Sequence, residues 1–372
     1  MSEDAIKNDL ALQRIKDFED TLCEKITDCN NIFICGHINA DHDALASIFA
    51  VARICKYLKK YAYVVLPNKD IKSIAKDDRY ELLNMIQQKQ YIILNEPDKN
   101  IKTDNDLLIV VDTSNDDRIP INDYDEFSDV IIIDHHEEPK NPKVPIKCNG
   151  KEPTKLIIPK DISSASEILY YLMNGIILND KMNFKKTEVD PIYFTALLAG
   201  INLDTNRYNK DTFSSTHDCV SALLKLGASQ KFVDNLFKRN LKFDQKIYDL
   251  VFKAETFTNR VMISVDESGT YSHEELSMVA NKLSSDYKND VVFVFGKDKD
   301  GNYDFCIRTT NGTFGVGEIA NIISGCGGGR ENAASGKPIY VDAENIKESS
   351  VDEHLKNKVM NLLRFKNNKE EN

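Results

Sequence analysis

The chain lacks a CxxC pair among its eight cysteines, Cys23, Cys29, Cys35, Cys55, Cys148, Cys219, Cys306 and Cys326. Cys35, Cys55 and Cys306 lie in apolar stretches, where cysteine acts as a small hydrophobe. A disulfide framework does not suit 372 residues of which 29% are charged, so a reducing compartment is expected. The opening stretch MSEDAIKNDLALQRIKDF has no uninterrupted apolar core and no signal-peptide pattern. No apolar run approaches the ~20 residues that span a bilayer. A soluble, cytoplasmic protein with no membrane partner is therefore expected. An excess of positive charge is also missing. The formal net charge is -11, which argues against a protein that coats duplex nucleic acid, because phosphate contacts need a basic surface. It leaves room for nucleotides held through metal ions. Internal repeats and long low-complexity segments are absent.

What is present is apolar material for a sizeable core, 41% of residues, and length enough for two ordinary domains. Residues 4 to 28 carry apolar side chains at helical spacing, NIFIC reads as a buried strand, and residues 43 to 60 read as a helix. YAYVVLP reads as a second strand. DLLIVVDTS and DVIIIDHH are Val/Ile-rich runs that suit a parallel sheet buried on both faces, so an α/β domain with helices on both faces is expected. Ser164 and Glu167 form a capping-box pattern ahead of an apolar helix. Asp190 and Pro191 mark another helix start, and Gly200 its stop, followed by INLDTNRY as a polar loop. Residues 1 to 240 are read as the first domain and 241 to 251 as a connector. A smaller α/β domain follows over 252 to 346, including a helix capped by Ser272 and Glu275, and 347 to 372 is a helix fraying into a charged tail.

The chemistry gathers where the apolar strands end. His37, Asp41, Asp43, Asp112, Asp134, His135 and His136 follow three such runs, and Asp204 stands in the later polar loop. Ligands of parallel sheets sit beyond the carboxyl ends of the strands, so these clusters are expected on one edge. Asp41, Asp43, Asp112 and Asp204 would repel one another and protonate unless cations neutralised them. Their four charges balance two divalent ions. Oxygen and imidazole donors without thiolate suit manganese, magnesium, iron or zinc. Two ions ~3.5–4 Å apart can activate water and clamp a phosphoryl group.

The stretches HINADHD, VVDTS, IDHH and GINLDT resemble, in order and spacing, the four motifs of the DHH phosphoesterase family, and GCGGGRENAASG is similar to the glycine-rich signature of the DHH-associated domain. The resemblance covers residues from about 30 to 340. It implies an active site in the cleft between the two domains and two divalent ions, with manganese the expected metal. It further implies that His37 and Asp41 hold one ion, that Asp43, His135 and Asp204 hold the other, and that Asp112 bridges them. His136 resembles the histidine that contacts the substrate phosphate, and Asp134 an acid that orients a ligand histidine. A hydroxide between the ions would attack phosphorus. Gly327, Gly328, Gly329, Arg330 and Arg308 resemble substrate-binding positions. Arg330 departs from the pattern, because the family has histidine there; arginine offers a bidentate contact to phosphate.

Within the family the chain resembles the catalytic part of bacterial cyclic-di-AMP phosphodiesterases, through ISSASEIL, FTALLAGINLDT and VANKLSSDYKNDVVFVFG, and oligoribonucleases of very short RNA. Segments like the membrane and sensory parts of the large cyclic-di-AMP enzymes are not seen, which leads to the expectation that linear dinucleotides or short RNA serve at least as well as the cyclic one. Homodimers are common among such proteins, so a homodimer is a further expectation. Other readings stay open. A lone HxxxDxD could be a capped helix start. GCGGG could be a tight turn. A 3',5'-bisphosphate nucleotide phosphatase, an inorganic pyrophosphatase and a regulator without catalysis compete as functions, although a pyrophosphatase would lack the glycine-rich signature. His42 is expected exposed in its loop, and His217, His273 and His354 as surface or capping residues.

Overall fold

The computed structural model describes residues 3–74, 79–89, 91–121, 123–138, 146–179, 189–238, 241–257, 260–310, 315–324, 328–329, 333–336, 356–357 and 359–360. The chain divides into two compact units, Met1–Lys238 and Arg239–Asn372.

The first unit runs α1 (Glu3–Asp28), β1 (Asn31–Cys35), α2 (His42–Tyr57), β2 (Ala62–Val65), α3 (Asn68–Ile74), α4 (Arg79–Gln87), β3 (Ile92–Leu94), β4 (Asp106–Val111), β5 (Asp129–Asp134), β6 (Thr154–Ile157), α5 (Ala165–Met173), α6 (Pro191–Asp204), α7 (Ser214–Lys225) and α8 (Gln230–Leu236). Its strands form one parallel sheet in the order β3-β2-β1-β4-β5-β6. The chain fills one half of the sheet outward from β1 and the other outward from β4, so the topological switch lies between these two strands. Register then decides what meets. Cys35 pairs with Val110, and Val111 with Ile133, so residues just past β1, β4 and β5 emerge side by side.

The expected fold class holds, with a correction to its cover. Ile32, Ile34, Ile109 and Ile131 face a core shared with α1, α2, α5 and α6. On the other face Phe33, Leu108, Val110 and Ile132 meet Ile119, Ile121, Tyr124, Phe127 and Cys148, which come from irregular chain. Among the described residues, that face carries only a 3-10 turn, Asp116–Arg118, rather than an α-helix. Right-handed crossovers place the described parts of the β4–β5 and β5–β6 connections on this face. Their Asp, Asn and Pro content favours turns over a helix.

A second correction concerns Gly200. The helix expected to stop there continues to Asp204. A Cβ on Gly200 would lie 2.1 Å from Ser166 Oγ and 2.7 Å from Asp43 Oδ1, so the glycine admits close approach rather than ending the helix. Asp204 thus comes from the last turn of a helix and not from a loop.

The second unit opens with α9 (Leu241–Phe252), whose Ile247, Leu250 and Val251 are buried in its own core. It continues with β7 (Glu255–Phe257), β8 (Val261–Thr270), α10 (His273–Asp286), β9 (Val291–Lys297), β10 (Tyr303–Thr309), α11 (Val316–Ser324), β11 (Gly328–Gly329) and β12 (Ala333–Gly336). The sheet order is β11-β12-β10-β9-β8-β7, with only β8 and β9 parallel. Ser272 and Glu275 form the expected capping box of α10. The expected tail helix lies mostly outside the described residues, as does His354. Among the described residues no helix is long and apolar enough to cross a membrane.

Candidate metal centre

His37 follows β1 and is 5% exposed. Its Nδ1 lies 2.8 Å from the Ile38 carbonyl oxygen, which leaves Nε2 toward Asp112 Oδ2 at 3.4 Å and Asp41 Oδ2 at 3.6 Å. A backbone carbonyl on one ring nitrogen fixes the tautomer that frees the other as a ligand. Asp41 caps α2: its Oδ1 accepts from the Asp43 and Ala44 amides at 2.9 and 3.0 Å. The cap reading and the ligand reading are therefore compatible, because Oδ2 faces His37.

Asp43 stands in the first turn of α2 and is fully buried. Its two oxygens accept from the Ala165 and Ser166 amides at the head of α5, at 2.9 and 2.8 Å. Asp112 follows β4 with a φ of 59°, a left-handed conformation that asparagine and aspartate tolerate best among non-glycine residues. Its amide donates to the Ile133 carbonyl at 2.9 Å. His135 Nε2 is 3.0 Å from Asp204 Oδ2 and 3.5 Å from Asp112 Oδ1.

Three donor groups result, each with ligand atoms within 4.8 Å of one another: His37 with Asp41 and Asp112; Asp43 with Asp112, His135 and Asp204; and Asp112 with His135 and His136. Asp112 belongs to all three. The third group includes His136, whose Nδ1 lies 2.8 Å from Asp134 Oδ1. Asp134 was expected to orient a ligand histidine. The ring it holds is that of His136, while it reaches His135 through the amide, at 2.8 Å.

The electrostatics show a site short of positive charge. Burial, then Asp112 and Asp204, push Asp43 well above the usual carboxylate range. Burial also raises Asp204, against the pull of His135. Burial opposes the charged form of His37, but hydrogen bonding to Asp112 and Asp41 pushes it up to about 10. His135 is likewise raised against burial, by Asp112 and Asp204. Burial works to raise Asp41, yet His37 and the Ala44 amide hold it below the ordinary range. For Asp134, too, burial is outweighed, here by His136. Burial raises Asp43 and opposes the two imidazoles, and the upward shifts of His37, His135 and Asp43 share one cause in carboxylates crowded on one point. Asp112 Oδ1 and His135 Nε2 are buried, lie 3.5 Å apart and make no hydrogen bond. Buried polar atoms converging on one point, with oxygen and imidazole chemistry, fit divalent ions.

Of the other singled-out residues, Arg308 lies on β10, where Nε donates to Asn281 Oδ1 and Nη2 to Ser277 Oγ, both at 2.6 Å. Gly328 and Gly329 form β11, which pairs with Ser335 and Ala334. Gly327 and Arg330 lie outside the described residues. His42 corrects its expectation: it is 3% exposed, with its ring 5.0 Å from that of Phe237. It is the first residue of α2, so it points into the core beside the helix start. His273 pairs through Nδ1 with Asp304 Oδ2 at 2.8 Å. His217 remains exposed. Sequence reading missed the α5 amides on Asp43. The only available signal was the run of small residues in ISSAS, which lets a helix start approach closely.

A parallel α/β sheet with a carboxylate–imidazole centre at its switch point defines a class of protein with a candidate divalent-metal site. Family models make the class specific. The model described as DHH family, N-terminal domain, matches residues 31–201, and that described as DHHA1 domain matches residues 258–352. The chain belongs to the DHH phosphoesterase family, a family of hydrolases, and carries the DHH-associated C-terminal domain. Among its relatives are the cyclic-di-AMP phosphodiesterase PdeA of Listeria monocytogenes, 27% identical over 69% of this chain and 38% of that protein, and the cyclic-di-AMP phosphodiesterase GdpP of Bacillus subtilis, 23% identical over 90% of this chain and 49% of that protein. The chain thus spans less than half the length of either. The crystal structure of an exopolyphosphatase-related protein from Bacteroides fragilis shares the fold, with a TM-score of 0.66 at 15% identity, over 93% of this chain and 96% of that one.

Proposed function

We propose that the protein is a metal-dependent phosphodiesterase that hydrolyses short nucleotide phosphodiesters to 5'-mononucleotides in the cytoplasm. The observation that carries this reading is the convergence of six candidate ligands on one switch point with Asp112 shared between the groups. In this reading His37, Asp41 and Asp112 would hold one divalent ion, and Asp43, His135, Asp204 and Asp112 a second, with manganese well suited to the mixed donors. Such ions, when bound, neutralise charge on a phosphoryl group and acidify a water. The chain's own residues prepare the place. The Ile38 carbonyl sets the His37 tautomer, the α5 amides fix Asp43, and the left-handed backbone at Asp112 aims its carboxylate. With Nδ1 committed to Asp134, His136 has Nε2 left to face a phosphate oxygen.

The named activity of the PdeA and GdpP relatives supports a dinucleotide as substrate. Arg308 and the stretch from Gly327 to Arg330 are the proposed substrate contacts. Arginine at 330 keeps its charge near neutral pH and offers a planar fork of donors. A terminal phosphate carries more charge than an internal diester, so linear di-adenylate with a 5'-phosphate is the favoured substrate over cyclic-di-AMP. The test compares specificity constants of the manganese-loaded protein on linear di-adenylate, cyclic-di-AMP, short RNA, a 3',5'-bisphosphate nucleotide and pyrophosphate. Arg330→His is expected to weaken the phosphorylated linear substrate about tenfold or more, as one charge-assisted contact would, and to leave the cyclic one nearly unchanged. Preferred turnover of the bisphosphate or of pyrophosphate would replace the diesterase reading, and equal effects of the substitution on both dinucleotides would remove the phosphate fork.

A further inference from the structure

We propose that Glu167 is a positioning residue for the metal centre, acting through the first turn of α5 on Asp43. The inference rests on the metal-site reading above and adds a residue that belongs to none of its donor groups. Asp43 and α5 are far apart in sequence, yet both Asp43 oxygens are held by α5 amides. The carboxylate plane is therefore set by where α5 begins. Glu167 fixes that beginning. Its side chain is fully buried, and its Oε2 accepts from the Ser163 amide at 3.0 Å, Ser163 Oγ at 2.5 Å and Thr216 Oγ1 at 2.8 Å. Oε1 accepts from Ser215 Oγ at 2.6 Å, and that hydroxyl accepts from Asn8 Nδ2 at 2.8 Å. One carboxylate thus ties the segment just before α5 to α7 directly and to α1 through Ser215.

The capping-box pattern suggested a different role. Ser164 Oγ does cap the Glu167 amide, at 3.1 Å, but the Glu167 carboxylate turns to Ser163 rather than to the Ser164 amide. The second brace on Asp43 comes from the opposite side. Gly200 of α6 packs so closely that a Cβ there would sit 3.0 Å from Asp43 Cα. Asp43 is held between α5 amides and the bare backbone of α6, in place before any ion arrives. Groups that orient ligands in this way are worth roughly 10–100-fold in metal affinity.

A buried carboxylate with four donors could instead serve only as a staple between helices. The two roles separate in metal binding. Glu167→Gln keeps the shape and an acceptor for the Ser163 and Thr216 donors, and removes the charge. Manganese titration calorimetry on the purified full chain, beside a metal-free thermal melt, reads both roles. The expected result is a dissociation constant raised tenfold or more for the ion at Asp43, with the ion at His37 and Asp41 little changed. Leu223→Ala, which thins the fully buried packing of α7 away from Glu167, is expected to lower the metal-free melting temperature without that selective loss. If Glu167→Gln does not fold, Ser215→Ala removes a single donor to the carboxylate and is read the same way. Unchanged affinity at both sites with a lowered melting temperature, or an equal loss at both, would overturn the positioning role and leave the staple. Failure of the wild-type protein to bind manganese at all would overturn the site reading as well, so the two failures are distinguishable.

Discussion

Asp112→Ala should abolish hydrolysis while leaving the fold intact. Among the described residues Asp112 is the only side chain common to the His37 and His135 groups, and its left-handed backbone aims one carboxylate at both. In the proposed two-ion centre its removal would take a ligand from each ion and leave the two positive charges less screened. Loss of several kcal/mol of transition-state stabilisation corresponds to a rate loss of at least about a hundredfold. The metal-free protein should lose only modest stability, because relief of the repulsion that, with burial, pushes Asp43 upward offsets part of the strain of alanine in a left-handed backbone. Single-turnover hydrolysis beside a metal-free melt checks both halves. Turnover above about a tenth of wild type would contradict the bridging role, since the retained rate would correspond to a loss under ~1.4 kcal/mol.

Metal removal should have an effect as large. Chelation is expected to stop hydrolysis entirely, and manganese to restore it more fully than calcium, which prefers more oxygen ligands at longer distances. Stability should follow. An ion that binds only the folded chain stabilises it by about 2.7 kcal/mol at a hundred times its dissociation constant, so the melting temperature should climb with manganese concentration. In metal-free protein, against burial, hydrogen bonding to Asp112 and Asp41 pushes His37 up to about 10, and an imidazole must be deprotonated to take a metal. Loading should therefore release protons, and a buffer of high ionisation enthalpy should reveal them in calorimetry. Full activity in chelator after verified metal removal would exclude a metal mechanism.

Much of this was legible in the sequence where one rule acted alone. NIFIC, DLLIVV and DVIIID are continuous apolar runs, and they became β1, β4 and β5 at the centre of the sheet. Because parallel strands put their carboxyl ends on one edge, the strand pattern alone gathers His37, Asp112 and His135. Short elements escaped. β3 and β6, with three and four residues, give too little pattern for a period to emerge. Gly200 misled because glycine has two uses, ending helices and permitting close packing, and only the tertiary neighbour Asp43 distinguishes them. His42 misled for a related reason: beside two exposed-looking acids it reads as loop, whereas it opens α2 and faces Phe237. The α5 amides that hold Asp43 were invisible because backbone donors carry no sequence signature and lie more than a hundred residues downstream.

The most direct test of the two-ion centre is the manganese stoichiometry of the purified protein, measured by calorimetry or by equilibrium dialysis with metal analysis. Two ions per chain are predicted for the wild type, and a marked weakening of both for Asp112→Ala. One ion per chain at saturating manganese, or two ions bound as tightly without Asp112 as with it, would contradict the account.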